Sequence, residues 1–203
     1  MNISLTIIFA IMTGACLLAL IESLRRCEAP QQYNPYLTGL LLLILMHTLG
    51  ELFIASAGYK YAPHLAGMQL PIRMLLGPAL YLYAKSMMSS PPRLWLIGGT
   101  AMLGPLVVAI IMLPFANLSA ADKLALANPA TRDPELFRLA WVTCCSAAGA
   151  FIAFTSLYWV MTFKLQKRHR QRIMQRYANI EKRALDWLKY SLYVWGLLWL
   201  FLA

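Results

Sequence analysis

The chain has 203 residues, 60% hydrophobic and only 13% charged, with Lys and Arg outnumbering Asp and Glu by 18 to 8. Soluble domains carry about 25% charged residues, so a water-soluble enzyme or binding module is excluded. The formal charge of +10 would suit nucleic acid, but the positives sit mainly in short segments beside apolar stretches, where they set membrane orientation.

A bilayer core about 30 Å thick takes about 20 apolar residues of helix. Five stretches reach that length, at residues 3–21, 36–57, 71–88, 94–113 and 136–163. A sixth starts near Leu185 and is cut off by the chain end at Ala203. The fold class is therefore all-α: a polytopic transmembrane helix bundle with five complete spans and a truncated sixth. Residues 1–163 form the bundle, 164–184 a basic linker and 185–203 the sixth span.

Span one contains Thr13-Gly14-Ala15-Cys16, but no basic region precedes it, so it is expected to remain uncleaved. Asn34-Pro35 precedes span two and Asp133-Pro134 precedes span five. Each puts a capping side chain before a proline at the first helical position, where the missing N–H costs nothing. Pro71 and Ser90-Pro91-Pro92 are expected to begin spans three and four in the same way. Between spans four and five, Ser119 and Asp122 have the spacing of a capping box for a short helix through Ala127.

His47 and Glu51 lie four apart in span two, on one helical face. A carboxylate at that depth is costly and needs an inward-facing partner. Arg73, near the start of the next span, is the candidate. His47, Glu51 and Arg73 then form either a structural ion-pair site or a ligand or proton-sensing site. Gly77-Pro78 and Gly104-Pro105 interrupt spans three and four and are candidate hinges. Ser146, Gly149, Ala150 and Ala153 are small residues that allow close helix approach. They are expected to pack within the bundle, with a homodimer seam as the alternative. Cys16, Cys27, Cys144 and Cys145 have no metal-ligand spacing, and no cofactor is expected. No HExxH, GxSxG or paired-carboxylate arrangement points to an enzyme.

Eight positives, Lys164, Lys167, Arg168, Arg170, Arg172, Arg176, Lys182 and Arg183, fill a segment opposed only by Glu181. If it is cytoplasmic, thirteen positives fall inside and five outside, and the N-terminus is outside. Ile173, Met174, Tyr177 and Ile180 recur among these charges, as in an amphipathic helix on the anionic lipids of the inner leaflet. Direct nucleic-acid binding by these residues is not expected.

Two stretches carry a resemblance. Leu75-Leu76-Gly77-Pro78-Ala79-Leu80-Tyr81-Leu82-Tyr83-Ala84-Lys85-Ser86 resembles a "GPLLYLYxxSL" signature. Tyr177-Ala178-Asn179-Ile180-Glu181-Lys182-Arg183-Ala184-Leu185-Asp186-Trp187-Leu188-Lys189 resembles "YSNxExxxLxWLR". Both belong to the membrane-anchored AraC-type transcriptional regulators, in which about seven membrane helices precede a cytoplasmic DNA-binding domain with two helix-turn-helix motifs. The resemblance implies a membrane sensor or anchor module of a one-component regulator in a bacterial inner membrane, without its output domain, answering an unidentified small-molecule or envelope signal. A small transporter or channel using His47, Glu51 and Arg73 is the alternative.

Overall fold

The computed structural model describes residues 3–26, 34–88, 94–128, 132–176 and 187–194. Among these, regular structure is helical: α1 (Ile3–Arg25), α2 (Pro35–Ala55), α3 (Gln69–Arg73), α4 (Leu76–Met88), α5 (Leu94–Ala116), α6 (Ala120–Ala127) and α7 (Pro134–Arg176). Short 3-10 turns occupy Gly58–Lys60 and Pro63–Leu65, and residues 187–194 are also helical.

Among the described residues, four helices are long and apolar enough to cross a membrane: α1, α2, α5 and α7. Their outer surfaces match that composition. Leu20 and Ser23 are the buried residues of α1, while Leu18 is 70% exposed. Met102, Leu106, Ile110 and Leu113 of α5 also point outward. A helix in water hides its apolar stripe, so apolar side chains spread over the outside suit lipid.

Three of the expected helix starts form, but Pro71 does not begin a helix: it is the third residue of α3, whose N-cap Met68 makes no side-chain cap bond. Asn34 Oδ1 accepts from the backbone N–H groups of Tyr36 at 3.0 Å and Leu37 at 3.4 Å. Asp133 Oδ1 accepts from Glu135 N at 2.8 Å. Ser119 Oγ accepts from Asp122 N at 3.2 Å and donates to the Asp122 carboxylate at 2.7 Å, and α6 ends at Ala127.

The expected third span, 71–88, is not one helix. It is split into α3 and α4, with a turn at Met74 and Leu75. Pro78 accounts for the position. It has no N–H for the carbonyl four residues earlier, that of Met74, and its ring crowds that carbonyl. Pro105 and Pro114 sit inside α5 without ending it. The Ser90-Pro91-Pro92 start of span four lies outside the described residues, as do Cys27, Arg93 and most of the sixth span.

Helix α7 is the spine. Met74, Val108, Met112 and Ala147 form one buried cluster, backed by Phe151 and Phe154. Ala84, Leu188 and Leu192 form a second, backed by Trp159 and Phe163, and Trp159 Nε1 donates to the Leu192 carbonyl at 2.9 Å. Ser23 and Thr38 share a hydrogen bond of 2.8 Å, which closes α1 on α2. Asn34 Nδ2 donates to Ser86 Oγ at 3.1 Å, joining the start of α2 to the end of α4.

The small residues of α7 require a correction. Ala150 packs against the first cluster, but Ser146, Gly149 and Ala153 are exposed. A Cβ on Gly149 would meet nothing within 4 Å. The helix turns its larger side chains, Phe151 and Phe154, toward the cluster, so most of the small stripe faces away. Cys144 and Cys145 are exposed as well.

At the end opposite the basic segment, Lys123 of α6 is buried. Its Nζ donates to the Ala116 carbonyl at 2.9 Å and lies 5.5 Å from the Phe115 ring centroid. It thus supplies a donor to the last carbonyl of α5 and a positive charge at the negative end of that helix. Lys123→Met keeps the apolar stem and removes the donor. It is expected to cost about 1 kcal/mol, read as faster amide exchange over 113–124 and a lower unfolding midpoint in detergent.

Candidate functional site

Helix α2 places His47 and Glu51 one turn apart on a single face, and α3 brings Arg73 to them. Arg73 Nη2 donates to Glu51 Oε1, and Arg73 Nε donates to His47 Nδ1 at 3.4 Å. The Arg73 guanidinium carbon also lies 5.2 Å from the centroid of the Phe151 ring on α7. The pairing expected from spacing and depth is therefore present, and one guanidinium joins three helices.

The bonding pattern follows from donor chemistry. A guanidinium has donors only, so in the bond from Arg73 Nε His47 Nδ1 is the acceptor. His47 Nδ1 is 3.8 Å from Glu51 Oε1, beyond hydrogen-bonding range. Glu51 is thus held by Arg73, and His47 is a second acceptor for the same cation. The three side chains are 23–25% exposed, so the group is partly sheltered and still reachable from outside. Two of the five guanidinium N–H donors are used in these bonds.

Phe151 was not foreshadowed. Nothing in its local pattern separates it from the other aromatic residues of a 43-residue helix; its role comes from the crossing of α3 over α7. Gln69 was missed too. Its side chain lies against Gly50, where an added Cβ would come within 2.8 Å of Gln69 Cβ. Gly50 thus lets α3 approach α2 closely enough for Arg73 to reach its partners.

The candidate hinge glycines converge on one segment of α7. A Cβ at Gly77 would lie 3.3 Å from Tyr158 Cβ and 3.4 Å from Thr155 Cα, and one at Gly104 would lie 2.6 Å from the Phe154 ring. Pro78 is buried. Gly77 and Gly104 are therefore close-approach points where α4 and α5 seat against residues 154–158.

The basic segment continues α7 without a break. Lys164, Lys167, Arg168, Arg170 and Arg172 are exposed, while Thr162, Gln166 and Ile173 of the same stretch are buried. The basic face is thus turned outward on a helix that is described as far as Arg176. Of the expected apolar set, Ile173 faces inward and Met174 outward. Tyr177, Ile180, Lys182 and Arg183 lie outside the described residues. At 1.5 Å per residue, the 43 residues of α7 extend about 65 Å, roughly twice a bilayer core.

Among the described residues, no group of three His, Cys, Asp or Glu side chains could hold a metal ion. The fold and site define an all-helical protein with several helices able to cross a membrane and a charged cluster where α2, α3 and α7 meet. No family model, no curated protein and no solved structure matches the chain.

Proposed function

We propose that this chain is the membrane sensor or anchor module of a one-component transcriptional regulator, seated as a multi-pass bundle in a bacterial inner membrane. The observation that carries this reading is the course of α7. It starts at Pro134, receives Arg73 on Phe151 partway along its length, and runs unbroken into the exposed basic stretch, described as far as Arg176. A change in the polar cluster thus has a continuous helix along which to act at the far end. The second resembling motif begins at the next residue, and in the regulator family such a segment leads toward the DNA-binding domain.

Charge supports the orientation. With five crossings, Arg25, Arg26, Lys85 and the basic end of α7 fall on one side, while Lys60, Arg73, Lys123, Arg132 and Arg138 fall on the other. Several of the latter are locally engaged. Arg73 pairs with Glu51, Lys123 holds Ala116 O, and Arg132 Nε donates to Leu126 O at 3.0 Å. The side with the excess of positives belongs in the cytoplasm, which puts the N-terminus outside and the basic stretch beside anionic inner-leaflet lipids. With α3 and α4 together as one broken crossing, the chain crosses five times before residues 187–194 begin a sixth.

An outer-face signal acts in this scheme only by binding two packings of the bundle with different affinity. The reading frame beyond codon 203 tests the assignment. It is expected to encode a seventh span and two helix-turn-helix motifs, and continuation into an unrelated sequence would remove the regulator reading. Transport is the alternative, and the tight seating of Gly77 and Gly104 on α7 weighs against their lining an open path. Substrate-dependent flux in proteoliposomes would favour it.

A further inference from the structure

We propose that His47 is a proton-binding site whose protonation transfers Glu51 from an inter-helix tie to an intra-helix one. The geometry is a carboxylate oxygen with two potential cationic partners. Glu51 Oε1 is bonded by Arg73 Nη2 and stands 3.8 Å from His47 Nδ1. His47 Nδ1 accepts from Arg73 Nε at 3.4 Å. Both bonds from Arg73 tie α2 to α3. A bond between His47 and Glu51, four residues apart on α2, would tie α2 only to itself.

One proton on Nδ1 decides between these states. The lone pair that accepted from Arg73 becomes an N–H donor, so the Arg73–His47 bond is lost. The new imidazolium repels the adjacent guanidinium and attracts the carboxylate beside it. Closing the 3.8 Å gap to hydrogen-bond length needs only side-chain movement along one face of α2. Arg73 then shares or loses its carboxylate and is left over the Phe151 ring of α7. It precedes the turn at Met74 and Leu75, which separates the five-residue α3 from α4. A short helix released from α2 beside an existing turn can shift without remaking a long hydrogen-bond ladder.

The charged groups bonded into the cluster are Glu51 from α2 and Arg73 from α3. Helix α7 contributes the Phe151 ring, and α3 sets the uncharged Gln69 against Gly50. Of the other elements packed on α2, α1 holds its Glu22 and Arg26 as a pair at the opposite end, α4 holds Lys85 over Tyr81 near that end, and the turn Gly58–Lys60 carries Tyr59 and Lys60. The exchange rests on His47, Glu51 and Arg73 and holds whether or not the chain serves a regulator.

The test uses the full chain in lipid nanodiscs, with the four native cysteines replaced by Ser and a fluorinated tag on Met68→Cys at the start of α3. Fluorine NMR is recorded as pH falls from about 8 to about 4, the range that brackets histidine titration. The expected result is a second tag environment appearing on acidification and absent from His47→Gln, whose spectrum at high pH matches the parent. No change in the parent, or the same change in His47→Gln, overturns the proposal. Should His47→Gln fail to fold, the parent carrying His64→Gln and His169→Gln leaves His47 as the one imidazole for nitrogen NMR. Protonation of Nδ1 in step with the tag supports the exchange; a tag that moves while Nδ1 stays unprotonated overturns it.

Discussion

Arg73→Leu is expected to destabilise the folded chain by about 2–3 kcal/mol, measured by denaturant unfolding in detergent. Removing one partner of a buried ion pair costs about 3–5 kcal/mol, because the remaining charge is stranded away from water. Here the partners remain about a quarter exposed, which places the loss toward and below the lower bound. Glu51 would lose its cation, and His47 Nδ1 would lose its donor at 3.4 Å. The Phe151 ring would lose the guanidinium 5.2 Å from its centroid. The double variant Glu51→Leu/Arg73→Leu should recover most of the loss, since replacing both charges by apolar side chains is often neutral. Stability unchanged in both Arg73→Leu and Glu51→Gln would mean that the pair does not hold α2 to α3.

The second large effect is expected at Gly77. A Cβ there would already lie 3.3 Å from Tyr158 Cβ and 3.4 Å from Thr155 Cα, and the latter is backbone that cannot rotate away. Gly77→Ala should cost about 1 kcal/mol and Gly77→Leu about 3 kcal/mol or more, the range for overpacked cores. The larger side chain must push α4 off α7 and so disturb Tyr81 on Tyr158. Gly149 is the matched control. Nothing lies within 4 Å of its Cβ position, so Gly149→Ala should stabilise by up to about 1 kcal/mol through helix propensity alone. Equal effects at the two glycines would show that α4 does not seat on α7 at Gly77.

The long helices and their starts were legible because the information is local. Asn34-Pro35, Asp133-Pro134 and Ser119 with Asp122 act within one turn of themselves, and the structure has each bond in place. The partnership of Glu51 and Arg73 was legible for a different reason. Few charges lie at that depth, so a stranded carboxylate has few candidates. The interruption of span three was expected at Gly77-Pro78, and the turn falls slightly earlier, at Met74 and Leu75, because a proline disrupts the helix four residues upstream of itself. The outward direction of Ser146, Gly149 and Ala153 could not be read from their spacing. A small-residue stripe permits close approach on whichever side a neighbour lies, and here the neighbours lie on the Phe151 and Phe154 side. The part of α7 beyond Phe163 was read as a linker because its charges end the apolar pattern. Helix continues through it because no proline or glycine interrupts the chain between Ala150 and Arg176.

The central claim of the proposal is that the basic end of α7 and the loop bearing Lys60 lie on opposite faces of a membrane, with the basic end in the cytoplasm. Thiol labelling of single-cysteine variants in intact spheroplasts tests it most directly, in a background with the native cysteines replaced by Ser. With a membrane-impermeant maleimide, Lys60→Cys is expected to label in intact spheroplasts and Arg170→Cys only after lysis. Labelling of Arg170→Cys from outside, or of both positions from the same side, would contradict the account.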